Sequence, residues 1–205
     1  MTTDADARTQ IIRAASRLFY TQGIGRVGMD AVRDAAGVSL KAIYKQFPSK
    51  EDLILGVLEN LHQSWNTGID GALAEVPSPR DRLLAVYDYL AAWFDRSDFR
   101  GCGFINAFGE LGAGSPAVAT AVREHKLSFL ATVDALVAEA VREHKLSFLA
   151  IVDQLVADAG GPAELGPQLA ILAEGAQTTA AILGDAEMAT VARGAAETLI
   201  DAAFA

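Results

Sequence analysis

Apolar positions recur along this chain every three or four residues, and no stretch alternates convincingly as a strand would. From Ala7 to about Thr21, RTQIIRAASRLFYTQG sets Ile11, Ile12, Ala15, Leu18 and Phe19 at helical spacing, and Gly23 supplies a stop. A second, shorter helix fits 29–36, between Gly28 and Gly37. In VSLKAIYKQF, Ser39 caps a third helix, because its hydroxyl can accept an orphan amide of the first turn. Pro48-Ser49 breaks that helix. Ser49-x-x-Asp52 then resembles a capping box, with Asp in place of Glu, opening a long fourth helix through about Leu73. Beyond a loop at 77–79 the pattern predicts helices at 80–95, from RGCGF through Leu111, and from Pro116 onward. After the loop AGGPAELGP come two last helices, at about 164–183 and 186–204. The chain reads as all-α.

One helical piece is written twice. AVREHKLSFLATVDALVAE at 121–139 is followed at once by AVREHKLSFLAIVDQLVAD at 140–158, differing only at Thr132/Ile151, Ala135/Gln154 and Glu139/Asp158. The junction VAEAVRE lacks Gly and Pro, so a single helix over 116–159, roughly 65 Å long at ~1.5 Å per residue, is locally favoured. Periodicity objects. Nineteen residues at about 100° each make five turns plus ~100°, so Val122, Phe129, Val133 and Leu136 point about a quarter-turn from Val141, Phe148, Val152 and Leu155. Three outcomes stay open: a long helix whose second half packs on another protomer, a break near 139–141, or a disordered copy.

Composition narrows the class. The 205 residues are 51% hydrophobic with few aromatics, which suits helices. No apolar run approaches the ~20 residues of a membrane span. The polar, acidic MTTDADARTQ is unlike a secretory signal. A soluble cytoplasmic protein is expected. The single cysteine, Cys102, excludes an internal disulfide and is expected to be a buried structural thiol. His125 and His144 hold equivalent repeat positions among Glu and Lys, and a solvated helical face is expected for both. HExxH, GxSxG, a Walker loop and CxxC are all missing, so the reading includes no enzyme, catalytic residue, metal or cofactor.

Charge is unevenly spread. The net charge is −9, yet residues 1–50 hold eight Lys/Arg against four Asp, which leaves the remainder strongly acidic. A basic head on an acidic body suits a protein that offers one end to a polyanion. Two short helices joined by AAGVS make a helix-turn-helix. In the second of them Ile43 and Phe47 lie four apart and face the core, leaving Lys41, Ala42, Lys45 and Gln46 for a DNA groove. Lys suits guanine O6/N7, Gln suits adenine, and Ala suits a thymine methyl.

At GMDAVRDAAGVSLKAIYKQFPSKEDLI the sequence resembles the TetR/AcrR family of bacterial transcriptional repressors: AGVS, four residues, Tyr, Phe three residues later, then a Ser-Lys helix start. The resemblance implies a three-helix DNA-binding domain at 1–50, ahead of a helical ligand-binding and dimerisation domain at 51–205. It extends the DNA-contacting set to Ser39, Lys41, Ala42, Tyr44, Lys45, Gln46 and Lys50, with Tyr44 and Lys50 reaching phosphates. Gly28 and Gln46 depart from the family's usual residues. The implied partners are a palindromic double-stranded operator, a second copy of the chain, and a small, largely apolar inducer. The implied ligand site uses Trp65, Tyr87, Phe94, Phe104 and Phe108, with Trp93 nearby and Asn106 or Glu110 as polar groups. The last two helices, rich in small residues, would form a four-helix bundle with the partner. A DNA-binding protein without an inducer and a helical scaffold are the rival readings.

Overall fold

The computed structural model describes residues 4–205, which form nine helices and no strand. These are α1 (Asp4–Gln22), α2 (Met29–Ala36), α3 (Leu40–Gln46), α4 (Lys50–Leu73), α5 (Pro79–Phe94), α6 (Gly103–Leu111), α7 (Pro116–Asp158), α8 (Leu165–Leu183) and α9 (Met188–Phe204). Their ends obey local chemistry. Ser39, Ser49 and Ser78 each accept the backbone amide three residues on, and Ser49 with Asp52 completes the expected capping box. Gly37, at φ 66°, closes α2 in the left-handed conformation that glycine adopts without a Cβ penalty.

The chain divides into two compact units, one through Val137 and one from Ala138 to Ala205. The boundary near residue 50 that the family resemblance implies is not a break in the apolar core. Ile11 and Phe19 of α1, Val32 of α2 and Ile43 of α3 belong to one buried cluster with Leu53 and Val57 of α4, Phe104 of α6 and Val118 of α7. The three-helix head therefore has no apolar interior separate from the helices that follow it. A second cluster in this unit gathers Ile69, Leu73, Val86 and Leu136, with Trp65, Tyr89 and Phe129 packed against it.

The duplicated segment lies wholly within α7, which runs unbroken through 139–141, so neither a break at the junction nor a disordered copy is what the chain adopts. The copies are used differently. Leu136 is 4% exposed and its repeat equivalent Leu155 is 62% exposed, whereas Val137 is 46% exposed and its equivalent Val156 only 7%. Within the repeat the buried face thus moves by one residue, about 100° around the helix. The second copy packs in part within its own chain. Phe148 and Val152 border a cavity with α8 and α9, and Lys145 pairs with Glu174 of α8.

Candidate nucleic-acid interface

The α2–α3 turn is built by backbone chemistry. Gly37 donates its N–H to the Arg33 carbonyl (3.0 Å), and the chain then turns sharply so that Ser39 can receive the Ala42 amide at 3.1 Å. On α3, Ile43 and Phe47 are buried, as their spacing predicts. Lys41, Tyr44 and Lys45 stand on the exposed side, with Ala42 and Gln46 half-buried beside them. The seven sequence-predicted DNA residues fall on this one short helix and the two serine-capped starts around it. Phe47 itself is held against α4 where Gly56 leaves room: a Cβ on Gly56 would come within 2.7 Å of the Phe47 ring.

The cations of the head differ in how committed they are. Lys45 pairs with Asp4, but both side chains are mostly exposed, and such a pair is worth about 0–1 kcal/mol. Lys45 can therefore exchange this partner for a phosphate at little cost. Arg33 is more committed: its hydrogen bond to Asp34 holds the guanidinium above its ordinary pKa and the carboxyl below its own. Lys50 donates to the Ile24 carbonyl at 2.7 Å, a structural bond that sequence did not indicate. An ammonium carries three donors, so this bond leaves others for a phosphate.

That same loop after α1 is braced from α6. Glu110 accepts the amides of Ile24 (3.0 Å) and Gly25 (2.8 Å). Asn106 likewise donates to the Arg100 carbonyl at 3.1 Å. Tyr20 donates its hydroxyl to the Gly101 carbonyl at 2.8 Å and accepts the Arg100 amide at 2.6 Å. Contacts 80 or more residues apart in sequence leave no periodic signal, which is why sequence reasoning missed them. Glu110→Ala orphans two amides and is expected to lower unfolding free energy by about 1–3 kcal/mol in urea titrations. An unchanged unfolding free energy would show that the brace is idle.

The five aromatic candidates for an inducer site do not assemble around one cavity. Tyr87, Phe94 and Phe108 are each more than half exposed. Trp65 sits edge-on among Tyr89, Trp93, His125 and Phe129, in a packed aromatic cluster. Phe104 lines a cavity of about 550 Å³ beside Phe47 and His125. Helical spacing tells which residues share a face but not whether the opposing face closes on it. Cys102 is half-buried, with Lys126 Nζ 3.6 Å from its sulfur, a basic neighbour that sequence did not suggest.

The two repeat histidines separate. His144 is exposed as expected, but His125 is only 5% exposed. Its ring stacks on Phe104 at 3.6 Å, and its Nδ1 lies 3.0 Å from Nδ1 of His62, whose Nε2 is 3.1 Å from the Asn66 amide. The signal was present: His125 lies three residues after Val122 and four before Phe129, on the apolar stripe. Burial, then Lys126 and His62, push its pKa from 6.5 down to about 4. The folded chain therefore binds fewer protons than the unfolded one between these values. Stability is full above pH 6.5, falls by at most about 1.4 kcal/mol per pH unit towards pH 4, and gains no further slope from this group below. Denaturation at stepped pH checks this. His125→Phe, which keeps the stack, should flatten the slope, and an unchanged slope would assign it to other groups.

Residues 11–57 match the model of the bacterial regulatory proteins of the tetR family, and residues 79–196, more than half the chain, match that of the tetracyclin repressor-like C-terminal domain. The chain belongs to the TetR family of transcriptional regulators. As a TetR-family protein it shares its fold and its helix-turn-helix with DNA-binding regulators, not with enzymes. The HTH-type transcriptional activator FasR of Mycolicibacterium smegmatis is 33% identical over 118 residues, 58% of this chain and 52% of that protein. The regulator TtgR of Pseudomonas putida is 39% identical over 59 residues, 29% of this chain and 28% of its own. The chain thus spans about half the length, or less, of these curated relatives. A TetR-family regulator from Streptomyces coelicolor superimposes with a TM-score of 0.61 at 27% identity, over 99% of this chain and 91% of that one. One from Haloarcula marismortui, at 20% identity, shares the fold with a TM-score of 0.57 over 97% and 98%. No described helix is long and apolar enough to cross a membrane.

Proposed function

We propose that this TetR-family regulator represses transcription from the cytoplasm as a homodimer that grips a palindromic operator and lets go when a small, largely apolar inducer binds. The observation that carries the reading is α3 itself: Lys41, Tyr44 and Lys45 exposed along one side of a helix whose other side, Ile43 and Phe47, is buried. In this proposal Lys41 and Lys45 donate to guanine edges, Gln46 pairs with adenine, and Ala42 meets a thymine methyl. Tyr44 and Lys50 hold phosphates, while Ser39 fixes the start of α3 in the groove. The functional boundary stays near residue 50 even though the core runs past it.

Two features of the second unit support the rest. Ile171 and Ile182 of α8 and Val191 of α9 are each well over half exposed, more apolar surface than a lone chain keeps without reason. A second copy would cover it, and two recognition helices about 34–36 Å apart would then reach successive major grooves. An apolar cavity of about 630 Å³, bordered by Phe148, Val152, Leu172, Ala176 and Ile200, has the chemistry for the inducer in place of the scattered aromatics.

The test is stoichiometry on DNA enriched from a random duplex library. An inverted repeat carrying two chains is expected. A single asymmetric half-site carrying one chain would overturn the dimeric reading.

A further inference from the structure

We infer that the outer face of α7 is a self-association surface, on which a second copy of the chain lays its own α7 antiparallel, centred on residue 139. This face is distinct from the exposed surfaces of α8 and α9, and the inference does not rest on the contact proposed there.

The duplication creates the face. In the first copy Val122, His125 and Leu136 are buried, whereas their counterparts Val141, His144 and Leu155 are exposed. Nineteen residues turn the second copy by about 100°, so its stripe does not continue the buried one. It falls instead in line with Leu127, Leu130 and Val137, which face outward in the first copy. From Leu127 to Ile151 the joined stripe advances in alternating steps of three and four residues along one unbroken helix. That alternation, held over roughly three to four heptads, is the pattern of a coiled-coil seam. Leu127, Leu130, Val141 and Ile151 are each more than half exposed. An apolar stripe of this length in solvent marks a contact surface.

The stripe is complementary to itself in one arrangement. Antiparallel pairing about residue 139 sets Leu127 against Ile151, Leu130 against Phe148 and Val137 against Val141, and twofold symmetry makes each contact twice. The two polar positions of the stripe, Asp134 and His144, lie equally far from residue 139, so they meet each other. Neither has a hydrogen bond or ion pair among the described residues. Parallel pairing sets Asp134 on Asp134 and His144 on His144. An antiparallel shift of one heptad buries Asp134 against Val137 or Ile151, leaving a charge unpaired. Charge and spacing together therefore select a second copy, in a single register. Ala138 and Ala140 flank the axis and leave the helices room to approach.

Sedimentation of the free chain at micromolar concentration tests the contact. Leu130→Glu combined with Ile151→Glu puts carboxylates into the seam at exposed positions, so circular dichroism should stay unchanged. The wild type is expected at twice the mass of this variant or more, and equal masses would overturn the contact. The comparison is independent of α8 and α9: a dimeric variant keeps their contact, and a monomeric one shows that contact to be absent. Asp134→His and His144→Asp, each alone, set like residues against like and should weaken association at least tenfold at about pH 6, where imidazole is protonated. Mixed in equal amounts, the two variants regain the Asp–His contacts and should recover the wild-type association constant to within about twofold. No recovery in the mixture would overturn the antiparallel pairing.

Discussion

Phe47→Ala is expected to lower the unfolding free energy by about 3–5 kcal/mol, enough to threaten a domain of ordinary stability. Phe47 is 2% exposed, closes α3, and seats its ring against α4 beside Gly56, with Arg8 over its outer face. Truncation removes the transfer energy of the ring and leaves a cavity where α3 meets α4. Because α3 has only seven residues and little stability of its own, its orientation depends on this anchor. DNA binding should therefore fall along with the denaturation midpoint. A midpoint indistinguishable from that of the wild type would show that the neighbours collapse into the space.

Lys41→Ala with Lys45→Ala is the complementary experiment, since it should spare the fold and remove recognition. Both side chains are exposed, and the Lys45–Asp4 pair contributes little to stability. Removing a lysine that reaches a base edge costs about 1–3 kcal/mol, so operator affinity should drop at least 10- to 100-fold. If either lysine reaches a phosphate instead, the salt slope also falls by about one. Fluorescence anisotropy beside thermal melts separates the two effects. Unchanged affinity with an intact melt would move the interface off α3.

Much of the head was legible because its rules are local. Gly37, Ser39 and the Ser49–Asp52 box act within four residues, and Ile43 with Phe47 announces a buried face by spacing alone. What sequence missed was carried by interactions between distant segments. Glu110 and Lys50 both converge on the loop at Ile24, and neither has a neighbour in sequence that hints at it. The repeat shows the same limit. Its two copies are nearly identical, yet Leu136 is buried and Leu155 exposed, because the surroundings of a helix, not its own pattern, decide which stripe is covered. His125 and His144 differ for that reason too. Tyr87 and Phe108 of the implied ligand site likewise lie on helical faces that are more than half exposed.

The most direct test of DNA recognition by α3 is anisotropy of the wild-type chain on the intergenic DNA beside its own gene, against a scrambled duplex, across a salt series. A tight, selective complex whose log affinity falls linearly with log salt is expected. Equal, weak affinity for both duplexes at every salt concentration would contradict it.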